Sequence, residues 1–308
     1  MSRLATCLLL MLSVLPWWPA MAQPGQSASR EVLVLGRVSD NPKQHAEALQ
    51  PMLDYVVPRM RSVGIREGRI LMARDAVQMQ SYLRRQRVDW VSDTAVMAVD
   101  YRDRVGARLL LATDRGGGVA YHSVFFTWRG SGIDSLAALK GRSIAFQNPY
   151  STSSYVIPAA EMLRAGLELD VLLSPLDRPA AGRAGYVFAR SESNVATWVQ
   201  KRMVDAGAFS NLDWASLAAL PQSFREELVV FHESQPVPRA IEVVAPDLDP
   251  KVRERLREVL LAAADDPAAR EPLARFFDTR GFVPLDEQTK QGLSRLRGDV
   301  DLVRGRLE

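Results

Sequence analysis

In residues 148–163, NPYSTSSYVIPAAEML, an apolar strand ends and a helical pattern begins. Four hydroxyl side chains, Ser151, Thr152, Ser153 and Ser154, stand at the junction. One hydroxyl is enough to cap a helix, so the surplus asks for a second role. A helix N-terminus presents unpaired N–H groups and a partial positive charge, and it receives anions without a basic side chain. Adjacent hydroxyls add donors for tetrahedral oxygens, as a phosphonate, phosphite or sulfonate requires. Neutral donors also let the anion leave without breaking an ion pair. Plain capping explains the same residues, and the run alone does not choose between the two. Pro158 leaves two geometries open: a helix starting near Pro158 behind a hydroxyl loop, or a helix distorted at that point. Both keep several N–H groups free.

Outward from this stretch, strand and helix patterns alternate. Apolar runs at 32–35, 69–72, 88–91 and 107–112 read as strands, with helices expected over 45–60 and 76–87. The second half repeats the alternation: strands at 143–147, 185–189 and 204–209, helices at 155–164 and 194–202. After Pro236 a strand is expected at 240–244 and a helix from Asp249-Pro250, with an apolar stripe of Val252, Leu256, Val259, Leu260 and Ala263. Alternation of this kind means parallel βαβ units and an α/β class. The expected architecture is a two-lobed clamshell with a hinge and a central cleft. Lobe 1 takes 31–128 plus 236–285, lobe 2 takes 133–235, and 286–308 forms a polar helical tail outside the core. Ligands of open α/β sheets bind beyond the carboxyl ends of the strands, where Ser151 to Ser154 stand.

The first residues, MSRLATCLLLMLSVLPWWPAMAQ, carry one Arg, an apolar run broken by Pro16 and Pro19, and Ala20-Met21-Ala22. This predicts a secretory signal peptide over 1–22, followed by a flexible segment over 23–30 and a periplasmic destination. Cys7 is the single cysteine, so the exported chain relies on its core and not on disulfides. Lys and Arg number 39 against 36 Asp and Glu. The charges are interleaved, as in Arg253-Glu254-Arg255-Leu256-Arg257-Glu258, which excludes a phosphate-tracking stripe and nucleic-acid binding.

Leu139-Lys140-Gly141-Arg142-Ser143-Ile144-Ala145-Phe146, followed by Asn148-Pro149-Tyr150-Ser151-Thr152-Ser153, resembles the signature of periplasmic phosphonate, phosphite and phosphate binding proteins of ABC transporters. Gln50 to Tyr55, Arg87-Val88-Asp89 and Val204 to Ala208 are similar to other conserved-looking stretches of that family, in order. The resemblance implies a type II periplasmic-binding fold and oxyanion contacts from Ser151, Thr152, Ser153 and Ser154. It also implies closure by first-lobe residues after the strands, here Ser39, Ser92, Asp93 and Thr94, with Tyr121 at the start of the crossover strand. Asp93 either caps the following helix or meets a protonated or cationic ligand group. Tyr121 lines the cleft or serves the core or hinge. Where several members carry a His before a second-lobe helix, this chain has Ser191-Glu192.

The resemblance implies an inner-membrane permease as partner, a monomeric binding protein, and no catalysis. A membrane histidine kinase is the alternative partner. His45, His122 and His232 lie far apart in sequence without a cysteine or carboxylate cluster, so no metal is expected. No Gly-x-Ser-x-Gly turn is present, and Gly116-Gly117-Gly118 lacks a following Lys-Ser/Thr, so neither a serine hydrolase nor a phosphate-binding loop is expected. No cofactor is expected either.

Overall fold

The computed structural model describes residues 31–39, 41–216 and 218–307. The signal peptide and the 23–30 segment lie outside the described residues. Glu31–Glu308 forms one compact unit, built on two six-stranded mixed sheets.

The first sheet begins with β1 (Val32–Val38), β2 (Glu67–Ala73), β3 (Trp90–Thr94) and β4 (Arg108–Arg115). Helices α1 (Pro42–Arg59), α2 (Ala76–Arg84) and α3 (Ala95–Val105) connect them. β1 pairs in parallel with β2 and β3. Parallel strands covered on both faces read as continuous apolar runs, and Leu33, Leu35 and Val91 are fully buried accordingly.

Next comes the short β5 (Ala120–Tyr121), which leads across to the second sheet. That sheet holds β6 (Ser123–Trp128), β7 (Ser143–Phe146), β8 (Leu169–Val171), β9 (Ala184–Phe188), β10 (Ala206–Ser210) and β11 (Leu228–Glu233), in the order β11-β6-β10-β7-β9-β8. Its helices are α4 (Ile157–Arg164), α5 (Glu192–Gln200) and the short α6 (Asn211–Ala215) and α7 (Gln222–Arg225). The chain returns through β12 (Val237–Pro238), and β12 pairs with β5 as a two-stranded ribbon between the halves.

β13 (Ala240–Val244) then inserts between β3 and β4 of the first sheet, and β14 (Thr279–Val283) closes its edge. Between these two strands run α8 (Pro250–Ala262) and α9 (Arg270–Arg275). The last element, α10 (Glu287–Leu307), packs on α3 of the first half and α4 of the second.

Two expectations are corrected. Residues 123–128, placed with lobe 1 from sequence, form β6, which pairs with β10 and β11 in the second sheet. The change of half therefore falls at the β5 ribbon and not after residue 128. The tail at 286–308 is helical but not outside the core: Leu293, Leu296, Val300 and Val303 are buried.

At the hydroxyl run, residues Thr152–Val156 form a π-helical turn, with Ser154 at φ −114° and ψ 18°, ahead of α4. The helix is distorted at its entrance, and Pro158 follows in the first turn of α4.

Candidate functional site

A cavity of about 610 Å³ lies between the halves, within the size range of small-molecule sites. Its walls come from the carboxyl ends of strands. The first half supplies Arg37 near the end of β1 and Ser39 just after it, Arg74 after β2, Asp93 and Thr94 at the end of β3, and Arg115 ending β4. The second half supplies Gln147, Asn148 and Ser151 to Ser153 after β7, Arg190 after β9, and Ser210 ending β10. Tyr121 and Arg239 enter from the ribbon and its margin.

The hydroxyl run divides its labour. Ser151 is the N-cap: its side chain accepts a hydrogen bond from Ser154 N at 3.1 Å. Ser154 turns away from the cavity, accepting from Gln147 N at 2.9 Å and donating to the Ala208 carbonyl. It holds the turn against β10 and does not itself line the cavity. Thr152 and Ser153 remain on the cavity side, close to the Tyr121 hydroxyl. Burial pushes the Tyr121 phenol up, so it stays protonated.

The first-half candidates separate in the same way. Ser39 lines the cavity, with its hydroxyl 2.6 Å from His45 Nδ1. Thr94 lines it as the N-cap of α3. Both Asp93 oxygens are engaged: Oδ1 accepts from Thr94 N at 2.8 Å, Oδ2 from Tyr101 Oη at 2.9 Å. Arg37 Nη1 stands 4.0 Å from Asp93 Oδ1. Burial and that carboxylate hold the Tyr101 hydroxyl well above its ordinary range. Ser92 is behind the wall, donating to Glu242 Oε1 at 2.8 Å and accepting from Arg115 Nη2 at 2.9 Å.

Sequence reasoning missed the arginines. Arg37, Arg74, Arg115, Arg190 and Arg239 line one cavity against the carboxylates Asp93, Glu192 and Asp213. The excess is cationic, which suits an anion. Arg115 is buried beside Arg37, and burial first, then Arg37, lowers its pKa to about 10. It stays charged at neutral pH. Glu192 opens α5 and is pushed up by burial and then by Asp213. The signal for the arginines was available: each stands at or just beyond the end of a strand, where α/β sheets bind ligands.

No group of three or more metal-ligating side chains occurs among the described residues, and no helix there is long and apolar enough to cross a membrane.

Residues 36–289 match the family model of the phosphonate periplasmic substrate-binding protein of ABC transporters. XAC2383 from Xanthomonas citri, solved bound to chloride ion, is 51% identical, with a TM-score of 0.87 over 90% of this chain and 100% of that one. The same protein solved bound to ATP gives 51% identity and a TM-score of 0.86 over 91% of this chain and 100% of that one. PhnD1 from Prochlorococcus marinus, in complex with methylphosphonate, shares 16% identity with a TM-score of 0.66 over 88% of this chain and 98% of that one.

Proposed function

The chain belongs to the phosphonate periplasmic substrate-binding proteins of ABC transporters, and from that premise we propose that it captures a phosphorus oxyanion between its halves and delivers it to an inner-membrane permease. The observation that carries this reading is the π-turn after β7. There Thr152 and Ser153 face the cavity at the entrance of a helix. Such an entrance binds a tetrahedral anion by backbone and hydroxyl donors together. The five cavity arginines supply long-range attraction that the hydroxyls lack. XAC2383 has been solved with ATP, so a phosphoryl group on a body larger than methylphosphonate agrees with the cavity volume. The same cleft would serve a sensor read by a membrane histidine kinase, which a deletion distinguishes: a transporter component alone is needed for uptake of its ligand.

Calorimetric titration tests the reading. The protein is stripped by unfolding and refolding, then titrated with methylphosphonate, phosphite, phosphate, ATP and taurine. Binding in the micromolar range or tighter by a phosphorus anion is expected, weakened about tenfold or more in Ser153→Ala, since a hydrogen bond to a charged group is worth about 1.5–3 kcal/mol. Heat from taurine alone, or from none of them, would sink it.

A further inference from the structure

The first half carries a second cationic centre, away from the hydroxyl run. Arg37 and Arg115 both place Cζ over the ring of Phe277, at 4.6 Å and 4.5 Å from its centroid. Both are also tied to one residue: Arg37 Nη1 donates to the Ser92 carbonyl at 2.8 Å, Arg115 Nη2 to the Ser92 hydroxyl at 2.9 Å. Two guanidiniums on one ring repel each other, and here they are largely desolvated. The Nε of each is buried with no hydrogen-bond partner among the described residues. A guanidinium offers donors in a fixed fork matched to phosphate oxygens, and these forks are incompletely used.

The ring that holds them is itself held at a cost. Phe277 and Asp278 are consecutive non-glycine residues at φ 59° and 54°, a left-handed conformation that a bulky side chain rarely adopts. Strain of this kind persists where the surroundings over-determine it, and it collects at ligand sites. Gly116 N donates to the Asp278 carbonyl at 2.9 Å, fastening the strained pair to the end of β4, next to Arg115. Arg239 donates to the Arg115 carbonyl, and it lines the cavity together with Tyr121, Thr152 and Ser153. The hydroxyl run and the arginine pair thus face one cavity, linked by Tyr121 and Arg239.

Resting on the phosphorus-oxyanion reading, we infer that Arg37 and Arg115 over Phe277 form a second anion subsite, so that the ligand carries at least two phosphoryl groups. One group sits at the hydroxyl run and a further one at the arginine pair. A single tetrahedral anion satisfies one half only. A chain of phosphoryl groups spans both halves and gains from closure what the monophosphate cannot, because its two ends prefer the closed state. Ser92 is a positioning residue in this arrangement: it sets both guanidiniums and does not touch the ligand.

The test compares inorganic phosphate, pyrophosphate and tripolyphosphate by calorimetry on the same refolded protein. Pyrophosphate or tripolyphosphate is expected to bind about 100-fold or more tightly than phosphate, the yield of one or two added charge-assisted hydrogen-bond pairs. Arg37→Gln is expected to narrow that preference about tenfold or more. Ser153→Ala weakens all three anions by a common factor, and the conservative Arg37→Lys restores part of the preference. Melting curves confirm that each variant is folded, and Arg37 is chosen over the more buried Arg115 for that reason. Equal affinities for phosphate and pyrophosphate in the unmodified protein would overturn the subsite while leaving the phosphorus reading intact. So would an Arg37→Gln loss that is the same for every anion. Failure of all three anions to bind would remove the phosphorus reading and the subsite with it.

Discussion

Thr152 Oγ1, in the second half, accepts a hydrogen bond from the Val96 backbone N–H of the first half at 3.2 Å. Val96 stands in the first turn of α3, whose N–H groups have no partner inside the helix. This hydroxyl therefore closes the cleft at the N-terminus of α3, on the side of the cavity that Tyr121 also lines. Thr152→Val keeps the shape and removes the acceptor, leaving a buried N–H unpaired at about 1–3 kcal/mol in the closed state only. Ligand affinity is expected to fall about tenfold or more, and small-angle scattering should show a wider ligand-free form. Unchanged affinity together with unchanged scattering would make the contact incidental.

The Glu192 carboxyl is pushed up by burial and by Asp213. A raised value means that the folded state holds the proton more tightly than the unfolded chain does. Its contribution to stability is full below the ordinary glutamate range and fades as pH rises through the raised value. Within the cavity the same proton removes a negative charge from the wall. Affinity for an anion therefore rises as pH falls through that value. The ligand's own titration is common to both proteins when Glu192→Gln is compared with the unmodified chain. We expect the variant to bind more tightly than the unmodified chain at alkaline pH, and the two to converge over the acidic interval in which the raised carboxyl takes up its proton. A ratio that stays flat across this interval would show that Glu192 does not face the anion.

Behind the arginine pair, Glu242 is fully buried and accepts from Trp90 Nε1 at 2.6 Å, Ser92 Oγ at 2.8 Å and Thr113 Oγ1 at 2.6 Å. Arg115 is its nearest cationic neighbour in effect. Glu242→Ala leaves three donors without their acceptor and a buried guanidinium without its nearby counter-charge, and a loss of about 3–5 kcal/mol in unfolding free energy is expected. Denaturant titration reads it directly. A loss below about 1 kcal/mol would mean that water replaces the carboxylate, contrary to the burial of the cluster.

The α/β alternation and the hydroxyl junction were legible because both are local: periodicity marks an element, and Ser, Thr and Pro punctuate it. What the sequence withheld is long-range. Residues 123–128 read as an apolar strand in either half, and only the pairing of β6 with β10 and β11 assigns them. Within the hydroxyl run, Ser154 looks like its neighbours, yet the turn aims it at Ala208 and not at the cavity. The arginines were hidden by a composition of mixed charge. Arg37 and Arg115 become readable once strand ends, and not charge blocks, are taken as the place to look. Phe277 had no signal, since its left-handed backbone follows from the packing around β14 and not from residue type.

The helix α10 shows how a polar composition conceals a seam. Leu293, Leu296, Val300 and Val303 recur at alternating spacings of three and four, which places them on one helical face. That face meets α3 and α4 at once. Ion pairs repeat the bridge: Arg304 Nη2 lies 2.7 Å from Asp100 Oδ1 and Arg297 Nε 3.0 Å from Asp103 Oδ2 in the first half, while Asp299 pairs with Arg164 in the second. The partly exposed pairs contribute little alone, so the stripe should dominate the energetics. Leu296→Ala is expected to cost about 2–5 kcal/mol, and a chain ending at Asp286 to melt well below the full-length protein. Because α10 spans both halves, its loss should also weaken ligand binding beyond what the lower melting temperature explains. If the shortened chain melts and binds like the whole one, α10 is an appendage and its buried face carries no weight in closure.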